Sequence, residues 1–110
     1  MRKKSRYSVE DVLAYVESMG LCIASNMITV DEYPVGYMYR EEPSNEMDSG
    51  WRFLSGCEDD EYSDNTDNHH MHDVITIATC DPSIIPYLDA GVSMAYEKAP
   101  GLNDFELIED

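Results

Sequence analysis

The sequence predicts an α+β fold: a small, mainly antiparallel sheet of about four to five strands, with an N-terminal helix and one or two short helices packed on it. Three observations predict it. A helical apolar stripe stands at the start of the chain, and a series of short β-prone runs follows it. With 110 residues, the chain has enough length for one domain and one modest core.

Each element has a local cause. Ser8 is placed to cap the first helix, with Asp11 as the acidic partner of a capping box and Tyr7 with Val12 as a hydrophobic staple. Val9, Val12, Leu13 and Val16 form the apolar stripe and Gly20 the stop, which predicts a helix over 9–19. Leu21 to Ala24 and Met27 to Val30 are β-prone. A turn at 31–34 leads into Val35 to Arg40, which predicts a hairpin. Residues 41–50 read as a loop, and 51–56 as a third strand with Trp51 and Phe53 on one face and Arg52 on the other.

The stretch CEDDEYSDNTDNHHMH, residues 57–72, is too charged to fold inward and reads as an exposed loop. Val74 to Thr79 stays open between a strand, which its β-branched residues favour, and a helix capped by Asp73. Asp81 and Pro82 are a cap and first residue for a short helix over 83–88, which Pro86 keeps brief or distorted. Residues 91–98 read as a closing strand and 100–110 as a tail. The whole chain, 1–110, reads as a single domain with a basic, flexible tail at 1–6.

Charge narrows the function classes. Seven Lys and Arg stand against 23 Asp and Glu, a formal net charge of −16. Four of the basic residues, Arg2, Lys3, Lys4 and Arg6, lie in the first six positions, so the rest has only Arg40, Arg52 and Lys98. Such a body repels phosphate backbones and anionic lipid surfaces and attracts cationic partners. A nucleic-acid binder working through a basic face is excluded, and no apolar run reaches the roughly 18 residues of a membrane span. Glu10, Asp11 and Glu17 break any leader-like stretch, which predicts a cytoplasmic protein. Cys22, Cys57 and Cys80 are too few and too widely spaced for a disulfide framework or a metal knuckle; they read as reduced thiols, two of them packing residues.

Motifs that carry chemistry are few. His70 and His72 would point the same way on an extended segment, and Asp73 could complete a metal site, although the spacing matches no zinc pattern. The carboxylates of 58–67 are hard oxygen ligands, but their order is not that of a calcium-binding loop. No nucleophile elbow, phosphate loop or dinucleotide fingerprint is present, and a Cys–His pair involving Cys80 has nothing further to support it. The residues therefore predict no enzyme, no catalytic residue and no cofactor. Arg40 and Arg52 are expected to bridge Glu41, Glu42 or Asp48. Glu58, Asp59, Asp60 and Glu61 are consecutive carboxylates that repel one another unless a cation or basic partner neutralises them.

The segment VGYMYREEPSNEMDSGWRFLSGCEDDEY, followed by DN and then by DPSIIPYLDA, resembles a bacterial family once known as a domain of unknown function. That family is now grouped as immunity protein family 33 of polymorphic toxin systems. The resemblance covers residues 23–98. It rests on Gly36, Arg40, Glu41, Glu42, Pro43, Asp48, Ser49, Gly50, Trp51, Arg52, Gly56, Glu58, Asp59, Asp60, Glu61 and Tyr62, with Asp81, Pro82 and Pro86 downstream. It implies a small cytosolic protein that binds and neutralises a cognate toxin. Joined to the charge, it predicts a toxin with a basic surface, contacted through Trp51, Glu58, Asp59, Asp60, Glu61, Tyr62, Asp64 and Asp67. The alternative is a metal- or small-ligand-binding module built on His69 to His72 and the acidic loop. A homo-oligomer is compatible with either.

Overall fold

The computed structural model describes residues 9–98 and 104–108. In chain order the elements are α1 (Val9–Ser18), β1 (Leu21–Ser25), α2 (Asn26–Thr29), β2 (Tyr37–Arg40), β3 (Asp48–Leu54) and α3 (Asp60–Asp64). A 3₁₀ turn (Thr66–Asn68) then leads into β4 (His69–Asp73), α4 (Val74–Cys80), a 3₁₀ helix (Pro82–Tyr87), β5 (Ala95–Lys98) and β6 (Phe105–Leu107). The six strands form one sheet in the order β4-β1-β3-β2-β5-β6. The α+β class holds, with more strands than the sequence suggests and one parallel pair, β1 with β3, among antiparallel neighbours.

Strand register sorts the side chains onto two faces. One row runs His70, Ala24, Phe53, Met38, Tyr96 and Leu107 across all six strands. Ala24, Phe53 and Met38 at its centre are buried, and with Cys22 and Trp51 they meet Val16 of α1, Val74, Ile77 and Ala78 of α4, and Ile84 and Leu88 of the 3₁₀ segment. This is the core, and α1, α4 and the 3₁₀ helix lie on that face. The neighbouring row, Met71, Ile23, Arg52, Tyr39 and Ala95, points the other way.

Several expectations are corrected. Met27 to Val30 is not a strand: Ser25 accepts the Met27 amide as an N-cap and starts α2, which buries Ile28. β1 therefore does not form a hairpin with β2; β3 lies between them, and β2 pairs instead with β3. The histidine segment is edge strand β4 rather than loop, its polar composition accommodated because one side has no strand neighbour. The open question at 74–79 resolves to a helix. Val74, Ile77 and Ala78 recur on one buried stripe, and tertiary packing overrides β-branched propensity. Asp73 occupies the N-cap position without a side-chain cap bond. Part of the expected tail supplies β6.

Other expectations hold. α1 ends within a residue of the expected stop. Asp81 caps the 3₁₀ helix through the Ser83 amide, with Pro82 at its start and Pro86 within it. The expected cap at Ser8, the staple at Tyr7 and the basic segment 1–6 lie outside the described residues. Among those described, no helix is long and apolar enough to cross a membrane. Cys22 alone of the three thiols is buried; Cys57 and Cys80 are exposed, so only one packs. Burial pushes the Cys22 thiol up to about 12, and its Sγ donates to the His72 carbonyl.

Candidate functional site

Most residues that distinguish this sequence are built into the frame. Asp48 opens β3 with its side chain fully buried, where its Oδ2 accepts the Arg52 Nη2 at 2.9 Å and its Oδ1 the Arg52 Nη1 at 3.0 Å. The Ser44 and Gly50 amides also donate to it. Arg52 Nε donates to Glu41 Oε2 at 2.6 Å, and the Glu41 side chain is 51% exposed. The Arg52 hydrogen bond, and further bonds from the Ser44 and Gly50 amides, hold the Asp48 carboxyl far below the usual range despite its burial. The Asp48 and Glu41 bonds raise the Arg52 guanidinium in turn. A bidentate, fully hydrogen-bonded pair is the arrangement in which a buried charge is tolerated.

Arg40 behaves differently from the expectation of a carboxylate bridge. Its Nε donates to the Ser49 carbonyl at 2.8 Å and its Nη1 to the Ala90 carbonyl at 2.7 Å, while the guanidinium lies 5.7 Å from the Trp51 ring centre. Trp51 itself is 0% exposed, stacks on Phe53 and donates its indole N–H to the Leu88 carbonyl. It cannot touch a partner, which corrects its placement in the contact set. Two-residue alternation had already set Trp51 beside Phe53, and both face the core.

Two glycines are required by close approach. Gly50 has φ 90, and a Cβ there would run into the Glu41 carbonyl oxygen; one on Gly36 would meet the Ser55 carbonyl. Glu42 and Pro43 lie exposed in the 41–47 loop. Ser49 Oγ accepts the Trp51 amide. Asp81 accepts the Val35 amide at 2.8 Å and the Ser83 hydroxyl at 2.6 Å, with Lys98 Nζ at 3.7 Å. Burial raises its carboxyl, but these bonds and Lys98 outweigh burial and leave it lowered.

The acidic stretch divides in two. Glu58 turns inward: its Oε2 accepts the Ser55 amide and hydroxyl, both at 2.9 Å, and its Oε1 the Gly56 amide at 3.0 Å. Burial pushes that carboxyl up, and bonds from Ser55 and Ser25 outweigh it, so it sits below its ordinary value. Glu58 thus fixes the turn after β3. Asp59 caps α3 through the Tyr62 amide at 2.8 Å. Beyond it, Asp60, Glu61, Asp64 and Asp67 are exposed, and α3 buries no residue. Tyr62 is half-buried, its ring edge-on to His69 with centroids 6.0 Å apart. Each cation of the described body is engaged elsewhere: Arg52 with Asp48 and Glu41, Arg40 with two carbonyls, Lys98 with Asp81 and the Phe105 ring.

Beside α3, the open face of the sheet forms a shallow basin of about 250 Å³. Ile23, Tyr39, Leu54 and His69 line it, with Glu41, Arg52 and Ser63 at its wall. Burial and the Glu41 carboxylate push the Tyr39 phenol up, so it remains an O–H donor. The strand residues here went unnoticed in the sequence, although the alternation that sets Arg52 opposite Trp51 extends to Leu54 and Tyr39. His70 and His72 do share a strand face, but the His70 ring nitrogen pairs with the Asp67 carbonyl. Among the described residues no group of three or more His, Cys, Asp or Glu is arranged to hold a metal ion.

The family model described as Immunity protein Imm33 domain matches residues 22–109. Neither curated proteins nor solved structures yield a match.

Proposed function

The chain belongs to the Imm33 immunity protein family, and on that premise we propose that it acts without catalysis, by binding a basic bacterial toxin and occluding its working surface. One observation carries the reading: the carboxylates of Asp59, Asp60, Glu61, Asp64 and Asp67 stand exposed while Arg40, Arg52 and Lys98 are held by other groups. Clustered like charges repel one another, and a cationic partner relieves that repulsion. The same field steers association, so the on-rate falls as salt screens it. Tyr62 at the same helix adds an amphipathic ring to the contact. The metal-module alternative gains no support from the geometry around His70, His72 and Asp73.

The test begins with tagged protein recovered from its native host and the toxin that accompanies it. That toxin, expressed alone and then together with this protein, is expected to arrest growth only in its absence. Replacing Asp60, Glu61, Asp64 and Asp67 together by Ser is expected to lower the association rate by about tenfold at low salt and to flatten its salt dependence. Growth arrest that persists at equal expression, or an unchanged salt slope in the quadruple variant, would overturn the reading.

A further inference from the structure

The open face of the sheet is an unusual surface for a chain this small. Among the described residues, one face carries every helix that contributes to the core, and the other is bordered by α3, none of whose residues is buried. Across it, register places Met71, Ile23, Arg52, Tyr39 and Ala95 in one row, and Leu54, Tyr37, Glu97 and Glu106 in the next. Met71 is 47% exposed, and Ile23, Tyr37, Tyr39 and Leu54 are half-buried. The rows are apolar and aromatic toward β1, β2 and β3 and acidic toward β5 and β6. An apolar centre with polar groups around it is the usual anatomy of a protein interface.

Charge says what fits. The wall offers Glu41, whose Oε2 is taken by Arg52 but whose side chain is half exposed to solvent. It also offers Ser63 of α3, the helix that carries Asp60, Glu61 and Asp64. Arg52 stands beside Glu41 at the wall, yet Asp48 and Glu41 both bind it, so the three together leave one net negative charge. His69 adds an Nε2 that is buried without a hydrogen-bond partner in the described structure. A guanidinium suits this set. Its planar face would lie against Tyr39, its stem would cover Ile23 and Leu54, and its N–H groups would reach Glu41.

We propose that the basin on the open sheet face receives an arginine-bearing loop of the toxin, with Tyr39, Leu54 and Ile23 as its floor and Glu41 as its charged anchor. The proposal rests on the toxin-binding reading above and sharpens it. α3 supplies long-range attraction, and the basin supplies the close, desolvated contact that fixes affinity.

The probe is an octa-arginine peptide titrated into the isotopically labelled full chain at low salt, followed by amide shifts in nuclear magnetic resonance. Shifts at Ile23, Tyr39, Glu41, Leu54 and His69 that saturate together are expected. Two variants should each weaken the peptide by about tenfold. Tyr39→Ser removes the floor. Ser63→Arg, at an exposed position in the last turn of α3, sets a fixed cation at the wall without burdening the fold. Shifts confined to α3, or Ser63→Arg binding as tightly as the parent, would overturn the basin. Should that happen while the protein still rescues cells from its toxin, the basin alone falls. A wild-type chain that gives no rescue removes the toxin-binding reading and the basin with it.

Discussion

Two sets of carboxylates lie within thirty residues of each other and have opposite fates. Asp48 and Glu41 close around Arg52 at the sheet, and Asp48 has no exposed side-chain surface. Asp60, Glu61 and Asp64 on α3, which has no buried residue, and Asp67 in the turn after it stand in water. Both sets lie in acid-rich stretches of the sequence, so composition treats them alike. Position separates them: the first lies where strand alternation turns an arginine toward it, the second where none of the described cations, Arg40, Arg52 and Lys98, is engaged. The first set is a structural joint, and the second remains available to a partner.

Removing the joint should have the largest effect. Arg52→Ala leaves Asp48 buried without its cation and is expected to destabilise by about 3–5 kcal/mol, measured by denaturant unfolding with thermal melts as a cross-check. A loss under about 1 kcal/mol would mean that the pair is weaker than its geometry suggests.

Acid should act on the same joint more gently. The Asp48 carboxyl titrates lower in the folded chain than in the unfolded one. Its stabilising contribution is therefore complete above the unfolded value of about 3.9 and is lost as pH falls through that value toward the folded one. Glu58 and Asp81 shift in the same direction and add to the acid limb. Melting temperature is thus expected to drop below about pH 4, and Asp48→Asn, less stable at neutral pH, should flatten the drop without abolishing it.

The smallest effect is expected at the exposed set. Replacing Asp60, Glu61, Asp64 and Asp67 together should change stability by no more than about 0.5 kcal/mol, since surface substitutions away from caps and cores rarely do more. The cap at Asp59 is left in place for this reason. A larger loss, seen in the same denaturant assay, would show that these carboxylates support the fold and would erase the contrast with Asp48.

What could be read from the chain alone follows the range of each interaction. The helix α1 with Val16 buried, the Asp81-Pro82 cap and the opposition of Trp51 to Arg52 are local, and all appear in the structure, although Leu13 of the expected stripe is exposed. The salt bridge of Arg52 to Glu41 and Asp48 was also legible, because the partners are few and near. The helix at 74–80 was ambiguous because Val74, Ile75 and Thr76 favour strands one residue at a time, while the buried stripe of Val74, Ile77 and Ala78 acts only once the sheet exists. The parallel pairing of β1 with β3 depends on a crossover that local patterns do not encode. The surface was the least legible. Burial of Trp51 follows from its contact with Leu88 and the turn of Glu58 from its bonds to Ser55, and neither partner is marked by any local pattern.

One further consequence belongs to α3. A five-residue helix anchored by the Asp59 cap and by one ring edge at Tyr62 owes almost nothing to what its outward positions spell. New side chains can be written there without repacking a single strand. Substitutions there can therefore change the charge this helix presents while leaving the folding equilibrium where it was.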